Sequence, residues 1–263
     1  MTVIRSRDNA RVKNWSKLAT EPKERRERGI ALIEGVRLIE TYLQHGGVPV
    51  SVMVSEAVLE RTEIARLVHL SGAVPVVLAK ELFDRISDAE TPPGIAAEIA
   101  IPKIAADPVG SAGAIFLDGL QDAGNVGTIF RTAAAFGVRD VFLGPGCADP
   151  WSPKGLRAGM GGHFFLRISN SADLAADVRR FGPTSICAAA QGGRPIESID
   201  LAGRIGWIFG NEAAGVSAAV EAAATGKATI PMPGGTESLN VAASVAVCLY
   251  ERQRQLNTRG AGS

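Results

Sequence analysis

The second half of the chain alternates short apolar runs with stretches of helical period, and this alternation constrains the fold more than any other feature. The strand-like runs are 114–117, 141–143, 164–168, 185–190, 206–209 and 228–230. The helix-like stretches are 126–136, 152–160, 172–181 and 239–255. Strands that alternate with helices predict βαβ units and a parallel sheet. Because such sheets bind ligands beyond the carboxyl ends of their strands, the residues after each strand are the first candidates for a site.

The first half of the chain shows a smaller α/β pattern. Its strand-like runs are 31–33, 48–54, 73–78 and 95–101, and its helix-like stretches are 35–44, 55–70 and 80–87. Segment 102–113 is poor in large side chains and is typical of a linker. We therefore predict two α/β domains, residues 1–105 and residues 106–263.

Basic charge is concentrated at the N-terminus. Residues 1–28 contain nine basic and four acidic side chains, whereas the rest of the chain contains 19 basic and 23 acidic ones. The net charge of the whole chain is only +1, so no overall electrostatic attraction to nucleic acid is expected. The basic segment is either a solvated helix face or a surface that contacts phosphates.

Several classes of protein are disfavoured. The three cysteines form no CxxC and the three histidines lack ligand spacing, so neither a disulfide framework nor a metal site is predicted. The sequence contains no P-loop motif, which argues against a P-loop enzyme. It contains no complete GxGxxG and no GxSxG elbow, which argues against a dinucleotide-dependent dehydrogenase and an α/β hydrolase respectively. Without a signal peptide or an apolar run of 18 residues, we expect a cytoplasmic protein that does not cross a membrane. An organellar protein whose presequence had been removed would look the same.

The segment after the first strand of the second half runs from Asp118 to Gly127 and leads into a helix. Asn125 precedes the apolar face of that helix, so it is either an N-cap or a site residue. Arg131 lies about 140° from Val126 around the helix, well off the apolar face. Its side chain therefore faces either solvent or a cleft.

Two later strands are also followed by polar, glycine-containing segments. Gly210-Asn211-Glu212, with Gly215, is either a simple turn or a place where backbone amides approach a ligand. The segment from Pro231 to Asn240 leads into a helix, and helix N-termini favour anions. That last helix is apolar on nearly all sides over 241–249, so it must be covered on every face, and the sheet and a second subunit are the candidates for this cover.

Taken together, these three segments resemble the three motifs of the SpoU (TrmH-type) RNA ribose 2′-O-methyltransferases of the SPOUT class. The resemblance covers about residues 112–255. The first half also resembles the family's substrate-binding domain, through residues 32–35 and Arg37. Residues 157–159 depart from the pattern, because relatives often carry a hydroxyl residue where this chain has Gly159.

The resemblance implies a C-terminal SPOUT domain with a deep trefoil knot, preceded by a smaller α/β substrate-binding domain. It implies a homodimer formed through the C-terminal domain, with the active site near the interface. S-adenosylmethionine is the implied cofactor, held largely by backbone groups and without a metal. The implied cofactor-binding residues are Gly210, Asn211, Ile230, Met232 and Leu239. The implied catalytic residues are Asn125, Arg131, Glu212, Ser238 and Asn240.

The implied reaction transfers a methyl group to a ribose 2′-hydroxyl, which makes RNA the substrate. In relatives the arginine that matches Arg131 activates the hydroxyl, either as a base or by stabilising the alkoxide, and the sequence leaves both open. Ribosomal RNA is the favoured substrate over tRNA, because the two-domain layout is commoner among rRNA enzymes of the family. A non-catalytic RNA-binding protein is the alternative, but it would have little reason to keep the polar set together.

Overall fold

The computed structural model describes residues 2–104, 106–182 and 184–260. Its strands are β1 (Val3–Ile4), β2 (Ile30–Glu34), β3 (Ser51–Ser55), β4 (Val76–Leu78), β5 (Ile95–Ala100), β6 (Ala114–Asp118), β7 (Asp140–Leu143), β8 (Arg167–Asn170), β9 (Ser185–Ala188), β10 (Arg194–Pro195), β11 (Gly206–Gly210) and β12 (Gly226–Thr229). Its α-helices are α1 (Ala10–Thr20), α2 (Pro22–Arg28), α3 (Val36–Gln44), α4 (Thr62–Ser71), α5 (Lys80–Ile86), α6 (Ala123–Ala135), α7 (Pro153–Gly159), α8 (Leu174–Phe181), α9 (Ala218–Ala223) and α10 (Val241–Gly260).

The described residues form two compact units. The first contains residues 2–103 together with Asp149–Phe164, and the second contains residues 104–148 and 165–260. The segment Asp149–Phe164, which includes α7, therefore packs within the first unit although it lies far beyond the predicted boundary at residue 105. The assignment of domains to 1–105 and 106–263 stays a prediction.

The first unit is built on a mixed five-stranded sheet in the order β1-β4-β3-β5-β2. β5 runs antiparallel to both of its neighbours, β2 and β3, whereas β4 is parallel to β1 and β3. Trp15 and Leu18 of α1 and Phe83 of α5 are completely buried against this sheet. The smaller α/β pattern predicted for the first half is thus present.

The second unit is built on a seven-stranded sheet in the order β10-β12-β9-β11-β6-β7-β8, in which every pairing is parallel. Successive side chains of a strand point to opposite faces. Ile115 and Leu117 of β6 therefore pack with α6 and α10 on one face, whereas Phe116 packs with α8 and α9 on the other. The predicted parallel sheet is confirmed, and helices cover both of its faces.

Several predicted element bounds are wrong. Residues 164–168 do not form one strand, because Phe164 lies within the 3₁₀ turn Gly162–Phe165 and packs its ring against Tyr42, so that β8 begins only at Arg167. The predicted helix over 55–70 begins at Thr62 instead, since Ser55 caps a separate 3₁₀ turn by accepting from the amide of Ala57. Helix α10 begins at Val241, two residues later than predicted, and β12 lies at Gly226–Thr229 rather than at 228–230.

The basic segment 1–28 is an integral part of the first unit. It folds into β1, α1 and α2, none of which the alternation pattern predicted. Arg25 is buried and forms an ion pair with Asp149, so it contributes nothing to an exposed basic surface. Four more of its cations pair with carboxylates: Arg5, Lys13, Lys23 and Arg28. The remaining four, which we name the N-terminal cation set, are exposed and have no carboxylate partner among the described residues: Arg7, Arg11, Lys17 and Arg26.

Candidate functional site

A cavity of about 430 Å³ lies at the carboxyl edge of the second unit's sheet, where β9, β11 and β12 end. Its walls come from the segments that follow these three strands and from the start of α10. The lining residues are Cys187, Ala188, Ala189, Ala190, Phe209, Gly210, Asn211, Glu212, Ala214, Gly215, Val216, Glu221, Lys227, Ala228, Ile230, Met232, Ser238, Leu239, Asn240, Val241, Ser244 and Cys248. The volume falls in the range of small-molecule sites, which is about 300–1,000 Å³.

The segment after β11 makes a tight turn at the cavity wall. Asn211 and Gly215 exchange two backbone hydrogen bonds of 3.0 and 2.8 Å, which bring the chain back over Gly210. A Cβ at Gly210 would lie only 2.2 Å from the carbonyl carbon of Gly215, so any side chain there would force the turn open. The glycine is required by this close approach of two backbone segments.

A chain of hydrogen bonds joins the three polar segments that the sequence singled out. Asn125 Nδ2 donates to Glu212 Oε1 at 2.5 Å, and Asn240 Nδ2 donates to Asn125 Oδ1 at 3.1 Å. The Oδ1 atom of Asn240 in turn accepts the backbone amide of Ala242 at 2.9 Å, which caps α10. Since a carboxylate only accepts, the contact with Glu212 fixes which side of the Asn125 amide is the donor. Residues from positions 125, 212 and 240 are thus held in one polar array.

The structure rules out the capping interpretation of Asn125. The N-cap of α6 is Asp122, whose carboxylate accepts the backbone amide of Asn125 at 2.8 Å. The Asn125 side chain is therefore free of a capping role and reaches across to the segments after β11 and β12. Interpreting Asn125 as a cap was wrong because the helix begins at Ala123, three residues earlier than the apolar pattern indicates.

The predicted site residues divide into three groups. All five predicted cofactor-binding residues line the cavity, as do Glu212, Ser238 and Asn240. Asn125 is hydrogen-bonded to two of the lining residues. Arg131 is exposed on α6, which agrees with its position off the apolar face, but it does not line the cavity.

Sequence reasoning missed part of the wall. Residues 188–190 belong to the cavity because β9 lies between β11 and β12 in the sheet, an order that the chain sequence does not reveal. Lys227 and Glu221 form an ion pair there. Burial raises the pKa of the Cys187 thiol to about 11 and that of Cys248 to about 12, so both line the cavity as neutral groups at neutral pH.

The sequence profile of the SpoU rRNA Methylase family matches residues 113–250, which is more than half of the chain and includes the whole cavity wall. The chain belongs to this family. A second profile, that of the MRM3-like substrate binding domain, matches residues 9–97 of this SpoU-family protein and so lies within the first unit.

Relatives and solved structures cover nearly the whole SpoU-family chain. It is 33% identical to the 23S rRNA (guanosine(2553)-2′-O)-methyltransferase RlmP of Bacillus subtilis (strain 168), over 95% of this chain and 98% of the relative. It is 29% identical to the 23S rRNA (uridine(2479)-2′-O)-methyltransferase of Streptomyces viridochromogenes, over 94% and 90% of the two chains. The solved structure of the SpoU methyltransferase AviRb from Streptomyces viridochromogenes, in complex with AdoMet, superposes with a TM-score of 0.86 at 25% identity, covering 94% of this chain and 98% of that one.

The residues present at the cavity suit S-adenosylmethionine, the ligand of that last structure. Ile230, Met232 and Leu239 supply apolar walls for a flat base, and residues 188–190 and Gly210 line the same cavity. Ser238 and Asn240 add hydroxyl and amide groups that suit the polar parts of a nucleoside. No cluster of three or more potential metal ligands occurs among the described residues.

Proposed function

We propose that this SpoU-family protein transfers the methyl group of S-adenosylmethionine to a ribose 2′-hydroxyl of ribosomal RNA. The observation that carries the proposal is the polar array of Glu212, Asn125 and Asn240 beside a cavity that suits the cofactor. Relatives that cover nearly the whole chain are named as 23S rRNA 2′-O-methyltransferases, which supports rRNA over tRNA. A binding protein without activity would have no use for this array.

When bound, S-adenosylmethionine supplies an electrophilic methyl group on a sulfonium. The protein has to hold the ribose oxygen in line with that methyl group and lower the cost of losing the hydroxyl proton. We assign the first task to the polar array, because its amide and carboxylate groups are already fixed by one another. Ser238, at the same wall, offers the ribose a hydroxyl that both donates and accepts.

We assign the second task to Arg131. Its guanidinium stays protonated, since an arginine pKa exceeds about 12, so it is a poor base. A fixed positive charge beside the ribose would instead stabilise the developing alkoxide. Because Arg131 does not line the cavity of its own chain, the site needs a second element that brings this charge to it.

A homodimer would supply that element. Helix α10 buries one face against α6 and the sheet, but Ala243, Val247 and Tyr250 form a further face that is exposed, with Tyr250 63% accessible. An apolar face of this kind on a helix of the second unit needs a cover. We propose that the same face of a second copy covers it, and that each cavity uses the Arg131 of the partner.

Mixing two variants, each with a strongly reduced but measurable single-turnover rate, tests this arrangement. Arg131→Ala keeps an intact cavity, whereas Glu212→Ala keeps an intact arginine. If arginine and cavity come from different chains, exchange of subunits should restore one working site in each mixed dimer, which is about a quarter of all sites in an equal mixture. If both come from one chain, the mixture should stay at the low rate of the separate variants.

The first unit is the proposed RNA-binding part, in line with its match to a substrate-binding domain. The N-terminal cation set provides its exposed, unneutralised charge, which suits contacts with phosphates. The trefoil knot and a cytoplasmic location stay predictions. No helix in the described ranges is long and apolar enough to span a membrane.

Two measurements test the proposed function. Ribose methylation should be mapped across rRNA from cells with and without the gene, and one 2′-O-methyl group should disappear from rRNA in its absence. Calorimetry with S-adenosylmethionine in the presence of a chelator should show binding to the purified protein. Unchanged rRNA methylation would refute the substrate, and a folded protein that gives no binding at millimolar cofactor would refute the cofactor.

A further inference from the structure

The loop that carries Glu212 has little apolar packing to hold it. Residues 212–215 are all exposed, and their side chains are one carboxylate, two methyl groups and one hydrogen. The hydrogen bond from Asn125 to Glu212 nevertheless needs the carboxylate at a defined place. Val216, near the far end of the loop, packs against the core beside α8 and α9, and the exposed tip that carries Glu212 is held by polar contacts, two of which lie at the ends of the loop and act as tethers.

Both tethers lead to the end of β6. At the start of the loop, Asn211 Nδ2 donates to the carbonyl oxygen of Gly119 at 3.0 Å. At the far end, the backbone amide of Ser217 donates to Asp118 Oδ2 at 2.7 Å. β6 and β11 are neighbours in the sheet, and Asp118 stands in register with Gly210, so the carboxylate lies directly beneath the returning loop.

We propose that Asp118 is a positioning residue for the methyl transfer, an inference that rests on the proposed function. Its carboxylate fixes the far end of the loop 211–217 through a charge-assisted hydrogen bond, and thereby keeps Glu212 in contact with Asn125. Asp118 does not line the cavity itself, so it acts through the loop rather than on the cofactor.

Three variants separate this role from a general effect on folding. Asp118→Ala removes the acceptor, and Asp118→Asn keeps an acceptor oxygen but loses the charge. Ser217→Pro removes the donor instead, at a residue whose φ of −63° already suits proline. The matched control is Asp173→Ala. Asp173 also accepts a hydrogen bond from a backbone amide, that of Ala176 at 2.9 Å, but it lies at the start of α8 and not at the cavity.

Single-turnover methylation of rRNA from cells that lack the gene gives the first readout. Asp118→Ala and Ser217→Pro should each lower the rate by about 10-fold to 100-fold, since a misplacement of 1 Å costs about 100-fold. Asp118→Asn should recover most of the loss, and Asp173→Ala should match wild type. In a Glu212→Ala background, Asp118→Ala should add less than about a two-fold change, because the tether then has nothing to position. An equal loss in both backgrounds, or in the Asp173 control, would overturn the proposal.

Hydrogen exchange gives a second readout that needs neither RNA nor cofactor. Peptides that cover 211–217 should exchange faster in Asp118→Ala and in Ser217→Pro than in wild type, while peptides of α8 stay unchanged. Unchanged exchange in this loop would overturn the tether even if the enzyme is active. If wild type fails to methylate rRNA but the loop loosens as described, the tether stands and the proposed function fails.

Discussion

The buried ion pair between Arg25 and Asp149 gives the sharpest prediction about stability. Only 3% of the Arg25 side chain and 9% of the Asp149 side chain are accessible, and Nε lies 2.7 Å from Oδ2. Arg25 Nη1 also donates to the carbonyl oxygens of Leu18 and Ala19, at 2.5 and 3.2 Å. Arg25→Met keeps an apolar chain in place but removes these bonds and leaves the carboxylate buried and unpaired. Such a change costs about 3–5 kcal/mol.

Urea unfolding followed by tryptophan fluorescence measures this cost, because Trp15 and Trp151 both lie in the first unit. Arg5→Met is the matched control: Arg5 also pairs with a carboxylate, that of Glu56, but its side chain is 66% accessible. The control should lose less than about 1 kcal/mol. Adding Asp149→Asn to Arg25→Met should restore part of the loss, since the unpaired charge is then removed. A loss for Arg25→Met no larger than that of Arg5→Met would refute the argument that desolvation decides the energetics here.

Four further predictions concern activity, cofactor, RNA and pH. Arg131→Ala should lower the single-turnover rate by about 10²–10⁴-fold with cofactor affinity unchanged by calorimetry, and Arg131→Lys should not restore it because lysine lacks the planar fork. Gly210→Ala should abolish cofactor binding by calorimetry while the far-ultraviolet circular dichroism stays that of wild type, since the added Cβ opens the turn at the cavity wall. Replacing all four residues of the N-terminal cation set by glutamine should reduce the slope of log affinity for rRNA against log salt by up to about 3. An unchanged slope would mean that these cations contact no phosphates and only face solvent. Burial lowers the pKa of His163 to about 4, so its neutral form is favoured in the folded protein. The free energy of unfolding should therefore fall by about 3 kcal/mol as the pH drops from about 6.5 to about 4. His163→Phe should remove this pH dependence, as measured by urea titration.

The sequence predicts the second unit well because its signals are local. The central strands β6, β7, β9 and β11 are apolar runs, whereas β8, β10 and β12 are more polar. The polar segments follow their strands directly, so their meeting at one edge follows from the general rule for such sheets. The contact between Asn125 and Glu212 could thus be expected as proximity, although not as a bond.

What the sequence did not predict depends on contacts between distant parts of the chain. The helices α1 and α2 escape the pattern because their few apolar residues, such as Trp15 and Leu18, are masked by surrounding charge. Arg25 counts as a surface cation until its partner, 124 positions away, is known. The place of Arg131 outside its own cavity also needed coordinates, since a helical wheel gives direction around α6 but not distance to β11 or β12.

The segment Asp149–Phe164 has a practical consequence for anyone who exchanges the substrate specificity of such enzymes by recombining their halves. A single exchange near residue 105 would combine residues 1–105 of one enzyme with the 149–164 segment of the other. The side chains at positions 149, 151 and 156 would then have to pack against a first unit from a different protein. Chimeras that carry residues 149–164 along with residues 2–103 would keep Asp149, the native ion-pair partner of Arg25. A graft of the first unit therefore has two pieces, and the chain crosses between the two units three times.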